Sequence, residues 1–359
     1  MLVHICCSVD SHYFLKRLRE DFPDEPLVGF FYDPNIHPYS EYLLRLMDVR
    51  RSCEALGVEL IEGPYDYESW LAAVRGHEHV PEKGSRCSIC FEKRFAVSAK
   101  KAAELGQTRM TSTLLTSPKK SIDQLRAVGE AIAEREGVAF VTVDYRVGGG
   151  TQRQQEEAKK AKLYRQDYCG CLFGLTQQRK EQGSEADELY TPLDGRVLPA
   201  SIEERLALYE ARRKLEEAGL EYRIVRRKFL NWRLRYGWVR VKKRVVPSHM
   251  LPYSVMKRRY TNGRVEVVEA GQGYFNREEV VFMTLARYNA LSGRRYDSVV
   301  SLLFNPPPFE EEVKIRESAG LGPWDLSPLI VVEKIPEGRV EILIESVVWR
   351  DVREILVPL

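Results

Sequence analysis

The sequence predicts an α/β fold, a doubly wound parallel sheet carrying a metal site, followed by a second, basic α+β domain. Three observations predict it. Over the first 175 residues, short β-branched runs alternate with amphipathic stretches of helical period, the rhythm of a parallel sheet covered on both faces. Beyond residue 200 the pattern changes to strand-like runs bounded by Asn-Gly and Glu-Gly turn signals. Six of the seven cysteines fall in three tight clusters, each at a junction between predicted elements.

The strand signals of the first half are LVHI (2–5), LVGFFY (27–32), VELI (58–61), RMTST (109–113) and AFVTV (139–143). Between them lie the helical patterns HYFLKRLRED (12–21), YSEYLLRLMDVRRSCEAL (39–56), FEKRFAVSAKKAAEL (91–105) and SIDQLRAVGEAIAERE (121–136). Ligands of such sheets collect at the carboxyl edge of the strands, where Cys6, Cys7 and Asp10 follow the first strand. This reading gives a catalytic domain over 1–175, a polar Gly- and Pro-punctuated linker over 176–200, and an α+β domain over 201–359. That last domain opens with a capped helix ending at Gly219. Its strands are YRIVRRKFL and RYGWVRVKKRVV, with hairpins expected at Asn262-Gly263 and Glu337-Gly338.

No apolar run approaches the ~20 residues that span a bilayer, and the N-terminus lacks a signal-peptide pattern. A cytoplasmic protein without a membrane partner is expected. In that reducing compartment cysteines serve as metal ligands, redox thiols or core residues. Cys53 shares one helical face with Leu46, Val49 and Leu56 and is assigned to the core. The other six are Cys6-Cys7, Cys87-x-x-Cys90 and Cys169-x-Cys171. Alone, each pair has a plain reading: a strand end, a dithiol, a turn. Convergence on one site explains all three together. A tetrahedral zinc or a [4Fe-4S] cluster takes four thiolates, which leaves two, and Asp10 can complete a second metal position with them. Cys87 opens a helix whose dipole favours its thiolate.

Other nucleotide chemistries lack their motifs. There is no GxGxxG after the first strand and no GxxxxGK[ST]. The Gly-Gly-Gly run at 148–150 is read as a turn.

Five segments, HICCSVDS, YDPNIHPYSEY, RCSICFEKRF, TSTLLTSPKKS and LYRQDYCGC, resemble the QueH-type epoxyqueuosine reductases in composition and order, over residues 2 to about 174. The first turn is also similar to the HUP-like fold of tRNA-thiolating enzymes, where an SGGxDS loop binds ATP; here Cys7 and Ser8 replace both glycines. The resemblance implies a [4Fe-4S] cluster with an additional iron ion beside it, held by cysteines of the three clusters and by Asp10. It implies two-electron removal of the epoxide oxygen from epoxyqueuosine in tRNA, leaving an alkene and water, with electrons from an external donor. His37 and Tyr168, or a bound water, are the candidate acids beside Asp10. Asn35, His37, Arg86, Arg165 and Gln166 are the candidate substrate-binding residues. Two rivals stand: a tRNA sulfur-transferase on the same fold, and a non-catalytic nucleic-acid-binding protein with structural zinc.

Net charge is only +3, yet residues 222–264 hold fourteen Lys and Arg and no acid. Interleaved with them are Tyr222, Phe229, Trp232, Tyr236, Trp238, Tyr253 and Tyr260. Cations neutralise phosphates while rings stack on unpaired bases, as an anticodon stem-loop would present them. Arg226, Arg227, Lys228, Trp232, Arg233, Arg235, Trp238, Lys242, Lys243, Arg244, Lys257, Arg258 and Arg259 are the candidate tRNA contacts.

Overall fold

The first strand, β1 (Leu2–Ile5), is buried at all four positions, so its place is central. In the computed structural model, which describes residues 1–189, 196–275, 279–322 and 325–359, the chain forms two units, Met1–Leu189 and Tyr190–Leu359. The first unit runs β1, α1 (Ser8–Asp21), β2 (Val28–Phe31), α2 (Tyr39–Leu56), β3 (Glu59–Glu62), α3 (Tyr67–Ala73), α4 (Ser85–Glu104), β4 (Arg109–Ser112), α5 (Ile122–Glu136), β5 (Ala139–Phe140), α6 (Gly150–Lys160) and α7 (Leu172–Glu181).

All pairings of this sheet are parallel, in the order β3-β2-β1-β4-β5. The order reverses direction between β1 and β4, which makes the ends of those strands the switch point where a doubly wound sheet binds ligands. Helix α4 packs on α5, while α1 packs on α2 and α6. The apolar stripes Phe14-Leu15-Leu18 of α1 and Phe95-Ala99-Ala102 of α4 are buried in one core with Leu2, Val3 and Ile5, each large side chain contributing about 1.5–3 kcal/mol of burial. Cys53 lies in this core, 1% exposed, with Leu46 and Val49, and burial pushes its thiol up to about 12.

The strand expected at 139–143 pairs only over two residues. Helix α7 occupies the opening of the stretch read as a linker; residues 190–195 of that stretch lie outside the described residues. The glycine run is a turn, as read: Gly148 and Gly149 have φ of 58° and 82°, and a Cβ on Gly150 would meet the Tyr145 carbonyl at 1.7 Å.

The second unit comprises α8 (Ile202–Glu217), β6 (Tyr222–Val241), β7 (Arg244–Val246), β8 (Ser248–Met250), β9 (Tyr260–Arg264), β10 (Val267–Glu269), β11 (Gln272–Phe275), β12 (Val280–Thr284), α9 (Leu285–Ser292), α10 (Val299–Phe304), α11 (Phe309–Ser318), β13 (Leu329–Val332) and β14 (Arg339–Pro358). Its sheets have the orders β7-β6-β14-β9 and β10-β11-β12-β13-β8. They pack through Val239, Ile342 and Ile344 of one against Phe275, Phe282 and Ile330 of the other. The period of two along β12 then turns Val281 and Met283 to the opposite face, against Tyr288, Leu302 and Ile315 of the helices.

Three expectations change here. The two predicted strands at 222–230 and 235–246 are one 20-residue strand followed by a short return, and β6 pairs with β14 along its whole length, with one bulge opposite Glu345/Ser346. Asn262-Gly263 is no hairpin turn. It lies inside β9, paired to Glu341 and Val340, and glycine is needed because the Phe275 ring lies 2.8 Å from where a Cβ would stand. Gly338, at φ 78°, does turn the chain, but it joins β13 and β14, strands of different sheets.

Candidate functional site

Five loops at the carboxyl edge of the parallel sheet build one cavity of about 250 Å³. Its wall includes all six clustered cysteines, Cys6, Cys7, Cys87, Cys90, Cys169 and Cys171, together with Asp10. The sequence clusters therefore do converge.

The first cluster follows from the local fold. Strand β1 ends at Ile5, Cys7 caps α1 in an extended conformation (φ −167°), and one turn of helix brings Asp10 back over the thiols. Cys6 Sγ lies 3.8 Å from Cys7 Sγ and 3.6 Å from Asp10 Oδ2. These three residues are the only such group of metal-ligating side chains among the described residues, with their ligand atoms all within 4.8 Å of one another. Thr113, just after β4, holds Cys6: its Oγ1 accepts from the Cys6 backbone N–H at 3.2 Å and lies 3.4 Å from the thiol. Gln154 of α6, fully buried, donates from Nε2 to Asp10 Oδ1 at 2.7 Å. Burial pushes the Asp10 carboxyl up despite these bonds, and the Cys7 thiol is pushed well up by its contact with Cys6 and by burial.

The remaining four thiols come from the first turns of α4 and from the loop leading into α7. Cys87 and Cys90 sit on α4, and burial raises both; for Cys87 this outweighs the lowering expected from the helix dipole. Cys171 caps α7. The hydrogen bond from the Cys171 thiol holds Cys169 down to about 5, against burial and with help from Lys120. The loop between them requires glycine: Gly170 has φ 99°, and a Cβ there would meet Ile36 at 2.8 Å. Arg45 of α2 pins this loop, donating to the Tyr168 and Cys169 carbonyls at 3.0 and 3.3 Å while Glu41 holds its Nε at 2.7 Å.

Buried cations surround the thiols. Arg94 pairs with Asp33, and Lys120 pairs with Glu82 at 2.7 Å. Burial would lower Lys120, but Cys169 and Glu82 outweigh it and keep the amine charged. Positive charge around clustered thiols favours thiolates, the form that binds metal. The donor set thus fits a metal centre in two parts: four thiols, and beside them two thiols with a carboxylate.

The candidate substrate residues divide. Asn35, Arg165 and Gln166 line the cavity. Asn35 Oδ1, Gln166 Oε1 and Asp33 Oδ2 are buried there without a hydrogen-bond partner among the described residues. Arg86 also reaches the wall, but its Nη1 is committed to the Glu78 and Val80 carbonyls, which fix the loop before α4. Two expectations are corrected. The His37 ring stacks on Tyr67 with centroids 5.0 Å apart and is not among the lining residues. Tyr168 lines the cavity, but its hydroxyl donates to the His37 carbonyl at 2.6 Å and burial pushes it well up. Neither geometry suits an acid.

The family model described as epoxyqueuosine reductase QueH matches residues 1–177. A Helicobacter pylori protein named epoxyqueuosine reductase QueH is 40% identical over 362 residues, covering 97% of each chain. The chain belongs to the QueH family. A Thermotoga maritima QueH is 32% identical over 184 residues, 50% of this chain and 93% of its own. The QueH chain also overlays at a TM-score of 0.33 and 14% identity, over 53% of its length and 69% of the other, on a U34-tRNA thiolase NcsA from Methanococcus maripaludis with its [4Fe-4S] cluster; so distant a likeness bears no weight here. No helix among the described residues of this QueH chain is long and apolar enough to cross a membrane.

Arg45, Gln154, Thr113, Asp33, Arg94 and Lys120 were missed in the sequence. Four of them carried a signal, Thr113 and Lys120 by their place in TSTLLTSPKKS, Asp33 in YDPNIHPYSEY and Arg94 in RCSICFEKRF; Arg45 and Gln154 lie in none of the five segments.

In the second unit the candidate tRNA contacts also divide. Trp232 is 4% exposed, packed with Leu198 and Phe309 and donating to the Ser254 carbonyl at 3.2 Å. Arg233 is buried, bonded to Asn231 and to the Trp232 and Pro199 carbonyls. Both hold the fold and leave the surface set. Arg226, Arg227, Lys228, Arg235, Arg244, Lys257, Arg258 and Arg259 are exposed, as are Lys242 and Lys243 in the β6–β7 turn; Trp238 is half-buried.

Proposed function

We propose that this chain reduces epoxyqueuosine to queuosine in tRNA at the cavity of the first unit. The observation that carries the reading is the convergence of six thiols and Asp10 on one cavity, in a chain of the QueH family. Cys87, Cys90, Cys169 and Cys171 would hold a [4Fe-4S] cluster, and Cys6, Cys7 and Asp10 an additional iron ion; the spacing of the latter three within 4.8 Å supports that division. When bound, such a centre supplies single electrons and a Lewis acid for the epoxide oxygen.

The chain's own residues do the rest. Asn35, Gln166 and Asp33 offer buried, unpartnered oxygens, a cost of about 1–3 kcal/mol each that a ligand with hydroxyl and amine donors relieves. Arg165, exposed beside the cavity, meets a nucleotide phosphate. Lys120 keeps positive charge on the wall, where negative charge grows as the C–O bond breaks. Gln154 and Thr113 hold Asp10 and Cys6 in place.

Anaerobic incubation of the reconstituted protein with epoxyqueuosine-containing tRNA and a reductant, followed by nucleoside analysis, tests this. Queuosine must appear in proportion to enzyme. A colourless protein with zinc and no iron, and no queuosine, would defeat the reading.

A further inference from the structure

The second unit is an addition to the reductase core: the family model ends at residue 177, and the Thermotoga relative is matched over 93% of its length by half of this chain. Its four-stranded sheet has one face turned inward, through Val239, Ile342 and Ile344. Side chains alternate across a strand, so the opposite face carries Tyr236, Trp238 and Arg240 of β6. The register continues it across the sheet. Trp238 pairs with Leu343, and Leu343 with Tyr260.

What stands on this outer face is aromatic and cationic. Tyr236 is 55% and Tyr260 43% exposed. The Trp238 and Tyr260 ring centroids are 6.3 Å apart, and the Arg240 guanidinium lies 4.0 Å over the Trp238 ring. Arg259 and Arg235 flank them, both facing Glu345 at 2.8 and 3.7 Å, and Glu341 accepts from the Tyr260 hydroxyl at 3.2 Å. These two acids come from β14; the segment 222–264, which supplies every ring and cation named, has none.

Exposed rings on a sheet cost burial energy unless something covers them. Tyr236 and Trp238 are two residues apart on one strand, about 6.8 Å, a spacing at which neighbouring unstacked bases can each meet a ring. We infer that the outer face of this sheet is a stacking platform for a single-stranded segment of RNA, with Tyr236, Trp238 and Tyr260 receiving bases and Arg235, Arg240 and Arg259 meeting the backbone. This rests on the reading that tRNA is the substrate, and it assigns the unpaired anticodon loop to the second unit. The charge of the segment selects a polyanion, and the rings select unpaired bases over a duplex, whose bases are already stacked.

The test uses the full chain carrying Tyr236→Ala with Tyr260→Ala, and separately Trp238→Ala, with Tyr236→Phe and Tyr260→Phe as the conservative pair. Binding to a fluorescent anticodon stem-loop is measured across a salt series, with thermal melting to verify folding. Each lost ring is expected to weaken binding roughly tenfold, while the Phe variants keep it. The slope of log affinity against log salt stays the same, because it counts phosphates. Single-stranded RNA competes and duplex RNA of equal length does not. Unchanged affinity in the folded Ala variants, equal competition by duplex, or a change only in oligomeric state, which would mark a contact between copies, overturns the platform. Deoxygenation of the substrate tRNA by the wild-type chain is followed in parallel. Its absence, with loop binding intact, defeats the reductase reading and leaves the platform standing.

Discussion

Two buried carboxylates, Asp10 in the first unit and Glu312 in the second, have opposite surroundings. Glu312 is fully buried, and its oxygens face His249 Nε2 at 2.5 Å, Arg196 at 2.6 Å and the Tyr288 hydroxyl at 3.3 Å. Burial opposes its charge, but His249 and Arg196 more than offset this and hold it below the usual range. Asp10 is 8% exposed and meets only neutral hydrogen-bond partners, the Gln154 amide and two thiols, so burial wins and pushes it up. A buried charge is stable only when paired. Glu312 has its cations in contact; Asp10 has only the through-space pull of Lys120, which agrees with the metal-ligand role proposed for it.

The largest expected effect is on Asp10. Asp10→Asn should lower deoxygenation by more than about 10²-fold and lower iron per chain, while the apo protein melts no earlier than wild type. Full iron content with full activity would sink the comparison. Glu312→Gln leaves Arg196 facing a neutral amide and should destabilise the second unit by about 3 kcal/mol, seen in denaturant unfolding, with iron content of the folded fraction unchanged. Gln154→Leu removes the bond that orients Asp10 and should cost about 10–100-fold in metal affinity or activity, measured by iron retention against a chelator.

The smallest effect separates the two by pH. Glu312, lowered in the fold, contributes stability that is present above its unfolded value near 4.5 and is lost as pH falls through the folded one. Asp10, raised in the fold, runs the other way: the apo first unit gains stability as pH falls through its raised value. Each slope is bounded by about 1.4 kcal/mol per pH unit. Hydrogen exchange, read unit by unit, should show the two trends running in opposite directions as pH falls below 4.5.

Much of this was legible in the sequence. Helix α2 matches its pattern from Tyr39 to Leu56 because its caps, Pro38 and Gly57, are local signals. The three cysteine clusters could be seen, and their convergence argued from economy, because thiols at junctions of a parallel sheet share one edge. The supports could not. Arg45 and Gln154 are ordinary helix residues until the topology brings α2 and α6 to the site. Composition misled at Trp232 and Arg233, because a basic, aromatic segment does not say which face each residue takes. Asn262-Gly263 misled because the glycine answers to the Phe275 ring, a distant contact.

The bulge in β6 has one more effect. Upstream of it Trp232 pairs with Val348, and downstream Val239 pairs with Ile342; Trp232 and Val239 are both buried and their partners share one face of β14, although 232 is even and 239 odd. Arg235, the extra residue inserted between Leu234 opposite Ser346 and Tyr236 opposite Glu345, shifts the phase between them. It works like a single inserted letter in a two-letter code. Removing that letter would restore plain alternation, with Leu234 and Tyr236 facing Ser346 and Glu345 as they do now, so the insertion leaves Tyr236 and Trp238 on the outer face and acts instead on the local bend and twist of the strand.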